Sequence, residues 1–205
     1  MNTAEKTPID FYFDFSSPYG YFGSCRVDEV GQRHAREVTW RPYLMGAAMK
    51  LTGSKPLVER EMIRDYAHHD IARTARRFGL DFNPPPAPFP LPSVAPCRAF
   101  YWLCDRDPLQ ARDFARRTYA ALFIDGRNIS EVDVVVELAS GAGADPGETR
   151  AALGQQAVKD RLRQETDAAV ARGVFGSPFF IVDDEPFWGN DRLDEMDEWL
   201  QSGGW

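Results

Sequence analysis

The sequence predicts an α/β fold in which the two ends of the chain form one small sheet and a long helical region separates them. Two observations lead to this prediction. Strand patterns occur only near the two ends of the 205-residue chain, and helical patterns fill the region between them. The four strand segments are 9–15, 38–43, 178–182 and 186–188. Because residues 44–172 are too many for a loop, we expect an inserted helical subdomain there, with 1–43 and 173–205 forming the sheet domain.

The first three elements are predicted from alternation, proline placement and sequence order. The alternating apolar residues are Ile9, Phe11, Phe13 and Phe15, which is typical of a strand. Pro18 suits the first position of a helix because its missing N–H would have no helical partner there, and this helix is expected to reach about Ala35. Val38–Tyr43 is predicted as the second strand, with Pro42 at a sheet edge or exit. The β-α-β order favours a parallel pair of strands with a right-handed crossover.

The remaining elements follow in order. Helices are expected at about 57–79, 94–123, 131–139 and 148–172. The proline-rich segment 83–92 is expected to be an ordered, extended connector, because each proline fixes φ and lacks an N–H donor. Residues 140–147 are predicted as a loop. The strand Pro178–Val182, a turn at 183–185 and a short strand then lead into a last helix.

Composition and charge exclude several kinds of partner. The net charge of −7 disfavours nucleic acid, which needs a basic surface. No apolar segment reaches the roughly 20 residues of a membrane helix, and residues 1–8 lack the apolar stretch of a signal peptide, so we expect a cytoplasmic protein. The three cysteines are expected to be free. Cys97 and Cys104 are predicted to be buried on one helix, about 10 Å apart, which is beyond the reach of a disulfide.

Metal and nucleotide sites are not predicted. His68 and His69 are adjacent, so on a helix their side chains diverge and do not chelate one ion together. The glycine-rich segment 141–147 lacks the Gly-Lys-Ser/Thr ending of a phosphate-binding loop and does not follow a strand.

Ser17 lies where the first predicted strand passes into the first helix. A side chain just before Pro18 lies over the unpaired N–H groups of the helix, which stabilise an anion such as a thiolate. Residues 17–20 read Ser-Pro-Tyr-Gly and contain no sulfur. No histidine is placed near Ser17 by the sequence, so it is not predicted to be a nucleophile. Its hydroxyl can instead stabilise a thiolate brought by a ligand. A simple helix N-cap is the alternative interpretation.

Two later segments are candidates for binding. Pro178 opens a strand after Ser177, and the predicted element order resembles that of the thioredoxin fold, which has a cis-proline at this place. Such a turn would leave the N–H and C=O of Ser177 free to pair with an extended peptide. Asn190 or Asp191 fits the N-cap of the last helix. A compatible functional interpretation is that Asp191 holds a ligand ammonium group while neighbouring N–H groups hold a carboxylate.

Three motifs together resemble the 2-hydroxychromene-2-carboxylate isomerase family, which is related to kappa-class glutathione transferases and DsbA-like oxidoreductases. The motifs are Phe11–Tyr19, Gly173–Phe180 and Trp188–Leu193, and the resemblance spans about the whole chain. It implies a thioredoxin-like fold with a large all-helical insertion, a homodimer and bound glutathione. The implied reaction interconverts a hydroxychromene carboxylate and a trans-hydroxybenzylidenepyruvate, which are small aromatic carboxylates.

The resemblance also implies roles for individual residues. Ser17 would face the glutathione sulfur and stabilise its thiolate. Ser177, before the expected cis-Pro178, would pair with the backbone of the tripeptide. Asn190 and Asp191 would hold its γ-glutamyl end.

Lys55 is a further candidate, as a partner for a carboxylate of glutathione or substrate, although the surrounding residues 52–56 match the family less well.

Three other functions remain open. One is a kappa-like transferase that conjugates glutathione to electrophiles. A dithiol oxidoreductase is disfavoured because positions 17 and 20 lack cysteine. The third is a peptide-binding module without catalysis that uses the sheet edge near Pro178.

Overall fold

The fold is a four-stranded mixed sheet surrounded by helices, and the computed structural model describes residues 6–85 and 88–205. The strands are β1 (Ile9–Phe13), β2 (Val38–Pro42), β3 (Phe179–Val182) and β4 (Glu185–Trp188). Their order in the sheet is β2-β1-β3-β4. The β1–β2 pair is parallel, whereas β1–β3 and β3–β4 are antiparallel. The predicted β-α-β and β-β-α order, with its parallel pair, is confirmed.

Ten α-helices complete the described part of the chain. They are α1 (Pro18–Ser24), α2 (Val27–Arg33), α3 (Met45–Thr52), α4 (Arg64–Phe78), α5 (Val94–Cys104), α6 (Pro108–Phe123), α7 (Val132–Gly141), α8 (Pro146–Gly154), α9 (Gln156–Ala171) and α10 (Arg192–Ser202). A short 3₁₀ helix, Leu57–Glu59, precedes α4.

Three predicted helices are each divided in two. The first divides into α1 and α2 at Cys25 and Arg26, where the Arg26 guanidinium bonds to the carbonyl of Asn190. The second is interrupted at Asp107, whose carboxylate caps the new helix α6. The third begins earlier than predicted, at Pro146, and is interrupted at Gln155, which has extended backbone angles. In each case a local turn ends one helix although the apolar pattern continues.

Helix α3 was not predicted. Only Ala48 in it is buried, and its first residue follows Leu44, which provides no side-chain cap. Neither an apolar face nor a capping residue therefore marks this helix in the sequence. The prediction that there is no signal peptide rests partly on residues 1–5, and the predicted extended connector includes residues 86–87. Residues 1–5 and 86–87 lie outside the described part of the chain.

The sheet has an apolar core on each face. Phe11 and Phe13 of β1 point into a large cluster that continues through α5 and α6, where Phe13 packs against Phe100 and Tyr119. Tyr12 points the other way, into a smaller cluster that includes α3 and α9 residues. The larger cluster thus joins the sheet to the helical region. The division of the chain into a sheet domain and a helical subdomain at residues 44–172 stays a prediction.

The cysteines are free, as predicted, and Cys97 and Cys104 lie on the same helix, α5. Cys97 is buried, but Cys104 is only half-buried, so the prediction of burial is wrong for that residue. Among the described residues, no helix is long and apolar enough to cross a membrane. The same residues contain no group of three or more His, Cys, Asp or Glu side chains suited to hold a metal ion.

Candidate active site at the start of the first helix

Ser17 is the N-cap of α1 and is 5% exposed. Its Oγ accepts a hydrogen bond from the Gly20 N–H at 3.0 Å and donates one to the carbonyl of Ser177 at 2.8 Å. The N-cap interpretation is therefore confirmed, and the same hydroxyl also joins the two segments that the sequence singled out. Because its proton goes to a carbonyl and not to a base, Ser17 is not arranged as an activated nucleophile.

Ser177 and Pro178 form the loop that faces Ser17, and the peptide bond between them is cis, as predicted. The Ser177 Oγ accepts from the backbone N–H of Asp14 at 2.9 Å. The expectation that the Ser177 carbonyl is unpaired is wrong, because the Ser17 hydroxyl occupies it. Within the described residues the Ser177 N–H has no protein partner, so this donor is the part of the backbone that a ligand can use.

Gly20 allows these groups to approach each other. A Cβ at this position would lie 2.7 Å from the Ser177 Oγ and 2.8 Å from the Tyr119 hydroxyl oxygen. Both distances are shorter than normal contacts of a Cβ atom, so the side chains of Ser177 and Tyr119 fill the space where a side chain at position 20 would begin.

Asp14 was not predicted as a site residue, although it lies under Ser17. Its carboxylate is buried and accepts from the N–H groups of Ser16 at 2.9 Å and Met45 at 3.0 Å. Its backbone carbonyl accepts from the Ser17 N–H at 2.9 Å. Burial raises the pKa of this carboxyl above the ordinary aspartate value, and the hydrogen bonds from Ser16, Met45 and Ser93 oppose that rise. The available signal was a carboxylate between two phenylalanines near the end of the first predicted strand.

Three tyrosine hydroxyls hold backbone carbonyls around the site. Tyr119 donates to the Asp14 carbonyl at 3.2 Å, Tyr43 to that of Gly176 at 2.8 Å, and Tyr101 to that of Pro42 at 2.6 Å. Burial raises the pKa of all three phenols, so they remain neutral donors at physiological pH. No local pattern predicted them, because they are far apart in sequence.

Asn190 lies just before α10 and is 4% exposed. Its side-chain Oδ1 is buried and has no hydrogen-bond partner in the described protein. An unpaired buried acceptor costs about 1–3 kcal/mol. A donor supplied by a ligand would remove that cost.

Asp191 occupies the predicted N-cap position of α10, but its carboxylate makes no capping hydrogen bond and is exposed. Gly189 has a φ of +119°, and a Cβ there would collide with the Asp191 carboxylate. The backbone at Gly189 therefore permits the position that this carboxylate takes.

Lys55 lies in an exposed loop after α3. Its backbone carbonyl accepts from the Arg60 side chain at 3.1 Å. No contact in the described residues joins Lys55 to Ser17, Ser177 or Asn190, so the structure does not bring this predicted residue to the other five.

An aromatic pair beside the cis-proline loop was not predicted from the sequence. Phe175 and Trp188 are 43% and 55% exposed, and their ring centroids are 4.7 Å apart. The indole nitrogen of Trp188 covers Gly176, where a Cβ would overlap it. Both aromatic residues belong to the motifs quoted above, but their pairing depends on the β3–β4 hairpin.

Comparisons with known proteins agree with this architecture. The chain is 28% identical over 197 residues to a 2-hydroxychromene-2-carboxylate isomerase of Sphingobium xenophagum, covering 94% of this chain and 97% of the relative. It is 25% identical over 204 residues to glutathione S-transferase kappa 2 of Caenorhabditis elegans, covering 94% and 90% of the two chains.

A solved structure of 2-hydroxychromene-2-carboxylate isomerase superimposes with a TM-score of 0.85 at 24% identity, covering 95% of this chain and 94% of the other, which shows a common fold. A family model described as a DSBA-like thioredoxin domain matches residues 8–201. The chain therefore belongs to the DsbA-like thioredoxin domain family.

Proposed function

We propose that the protein is a glutathione-dependent isomerase that acts on a 2-hydroxychromene-2-carboxylate or a similar small aromatic carboxylate. The observation that carries the proposal is the Ser17 hydroxyl, which caps α1 in a site where positions 17 and 20 provide no thiol. A relative named as this isomerase, similar over nearly the whole of both chains, supports the reaction type.

The polar groups around Ser17 fit a tripeptide thiol. The free N–H of Ser177 suits a backbone carbonyl of an extended peptide. The unpaired Oδ1 of Asn190 and the exposed carboxylate of Asp191 are acceptors, which suit the amino group of a γ-glutamyl end. In this proposal Pro178 keeps the Ser177 peptide facing the ligand, and Lys55 is the candidate partner of a ligand carboxylate.

When bound, glutathione would supply the sulfur nucleophile that adds reversibly to the conjugated substrate. The role of Ser17 is to donate a hydrogen bond from its hydroxyl to that sulfur in place of the Ser177 carbonyl. The Gly20 N–H continues to donate to the Ser17 oxygen and polarises the hydroxyl. Donation to the charged form of a thiol lowers its pKa, which increases the thiolate fraction at neutral pH.

Turnover of hydroxychromene carboxylate, measured with and without glutathione, tests the proposal. We expect isomerisation to require glutathione and calorimetry to detect its binding. Equal rates in both conditions, or no heat of binding with folded protein, would overturn the cofactor assignment.

A second candidate is a kappa-like glutathione transferase, which the similarity to the nematode kappa enzyme favours. A transferase releases a glutathione conjugate, whereas an isomerase returns glutathione unchanged. Mass spectrometry of the products with a panel of electrophiles separates the two.

The proposal includes a homodimer in the cytoplasm. Exposed apolar side chains concentrate between residues 51 and 66 and supply a candidate contact surface, which we call the 51–66 surface. They are Leu51, Leu57, Met62 and Tyr66.

A further inference from the structure

Asp14 is a buried carboxylate to which the proposed reaction assigns no role. It lies directly after β1 and is 5% exposed. A carboxylate removed from water is costly unless it is well hydrogen-bonded. The hydrogen bonds of Asp14 should therefore explain why a carboxylate is buried at this position.

Those contacts join separate parts of the fold. The side chain accepts from the N–H of Ser16, in the turn that carries Ser17, and from the N–H of Met45, the first residue of α3. One carboxylate thus joins the Ser17 turn to the start of α3, the first helix of the central region.

The backbone of the same residue holds the opposite side of the site. The Asp14 N–H donates to the Ser177 Oγ, and the Asp14 carbonyl accepts from the Ser17 N–H. A shift of Asp14 would consequently move Ser17 and Ser177 relative to each other.

We propose that the ionised carboxylate of Asp14 is the group that positions the Ser17 turn in the site. This inference rests on the glutathione-binding function proposed above. The carboxylate holds the Ser17 turn against the start of α3, and its protonation or replacement weakens glutathione binding while the protein stays folded. Asp14 acts through Ser17 and Ser177 and does not contact the reacting atoms.

The surroundings of Asp14 make it sensitive to acid. The titratable groups facing it are Tyr43 after β2, Cys97 of α5 and Tyr119 of α6. No cation in the described residues is among the groups that act on it. Burial raises its pKa, so protonation begins at a higher pH than for an exposed aspartate. A protonated carboxyl has one oxygen that carries the proton and accepts poorly, so it cannot serve Ser16 and Met45 equally.

Stability and binding should then respond to acid in opposite directions. A raised folded-state pKa means that the fold favours the protonated carboxyl, so the contribution of Asp14 to stability grows as pH falls through that pKa. Glutathione binding, which uses the ionised carboxylate, weakens over the same range. A residue that only stabilised the fold would not make stability and glutathione binding change in opposite directions as the pH falls.

The test is calorimetry with glutathione, from pH 7.5 to pH 5, on the wild type and Asp14→Asn. We expect the variant to bind about tenfold more weakly at pH 7.5, the loss expected for one charge-assisted hydrogen bond. The ratio of the two affinities should shrink as pH falls, because the wild-type carboxyl then becomes neutral too. Titration of free glutathione is the same in both measurements and cancels in the ratio.

Asp10→Asn is the matched control, because Asp10 is also buried in β1 but bonds to Arg41 and Arg172 instead. It should change stability and leave the pH dependence of binding unchanged. If Asp14→Asn binds like the wild type at every pH, or behaves like Asp10→Asn, the proposal is wrong.

Two further measurements keep the outcome clear. Met45→Pro removes the N–H that bonds to Asp14, at a first helical position where proline is tolerated, and also shortens a side chain that packs against the smaller apolar cluster. It should also weaken binding, with the loss starting at higher pH. Hydrogen exchange of the Ser16 and Met45 amides needs no ligand. Faster exchange in Asp14→Asn supports the positioning role even if the wild type binds no glutathione. Absence of glutathione binding by the wild type would contradict only the proposed function. Unchanged exchange would contradict the positioning role of Asp14.

Discussion

At the scale of single residues, the Ser17 hydroxyl links three features of the site. It caps α1 through Gly20, it joins the β1–α1 turn to the cis-proline loop through Ser177, and in the proposed function it turns to a ligand sulfur. The first two contacts are made by the free protein. The hydroxyl is therefore held close to its working position before any ligand arrives, which is the condition under which one donor has a large effect on rate.

Ser17→Ala should lower turnover by about 10²-fold, because one preorganised donor to a developing charge is lost. It should also raise the pKa of the bound glutathione thiol, which the ultraviolet absorbance of the thiolate across a pH series measures. Ser24→Ala is the control, since Ser24 is equally buried in α1 but donates to the Tyr21 carbonyl. Folded Ser17→Ala protein with nearly wild-type turnover would exclude Ser17 from catalysis.

Gly20→Ala should destabilise the protein by about 1–3 kcal/mol, the usual cost of an overpacked site. The added methyl group must displace the Ser177 hydroxyl or the Tyr119 hydroxyl. Gly46→Ala, in α3, meets no atom within 4 Å and should instead stabilise by up to about 1 kcal/mol. Denaturant unfolding of the two variants measures the contrast. Equal effects would show that space at position 20 is not limiting.

At the scale of secondary structure, the start of α10 combines a helix end with an unsatisfied side chain. Asn190→Leu removes the unpaired Oδ1, so we expect the free protein to become about 1 kcal/mol more stable. The Asn190 carbonyl still accepts from Arg26. Glutathione binding should weaken at least tenfold. Thermal unfolding and calorimetry measure these opposite changes, and a variant that loses stability but keeps its affinity would contradict a ligand role for Asn190.

Helix existence was easier to predict than helix boundaries, and the reasons are local. Asp107-Pro108 and Asp145-Pro146 each place a capping carboxylate before a proline at the first helical position. Both pairs were readable in the sequence, and they would have corrected two boundaries. The interruption at Arg26 was not readable, because it is accompanied by a bond to Asn190, far along the chain.

At the scale of the whole molecule, the sequence predicted the ends of the chain better than its centre. The motifs around Ser17, Ser177 and Asn190 are local patterns, and they placed five of the six predicted binding or catalytic positions, all except Lys55, beside the sheet. The supporting hydroxyls of Tyr43, Tyr101 and Tyr119 reach the site from distant positions. Long-range packing brings them together, so no spacing in the sequence indicates them.

The protein should sediment as a dimer, as proposed above. Glutamate substitutions at Leu51 and Met62, which are 74% and 97% exposed, should shift it to a monomer if the 51–66 surface forms the interface. Leu109→Glu is the control, because Leu109 is similarly exposed at the start of α6. A monomeric wild type, or equal disruption by Leu109→Glu, would contradict the assignment.

The crowding at Gly20 also limits which evolutionary routes lead away from this site. A reductase with two sulfurs would need cysteine at positions 17 and 20, yet the first atom of any side chain at 20 meets the oxygens of Ser177 and Tyr119. Those two neighbours would have to change beforehand, and each holds a backbone segment of the present site through Asp14. Packing around Gly20 therefore makes it difficult to convert this site into a dithiol site by single substitutions. Variants on that route would lose the contacts that hold Ser17 and Ser177 before they acquired both cysteines.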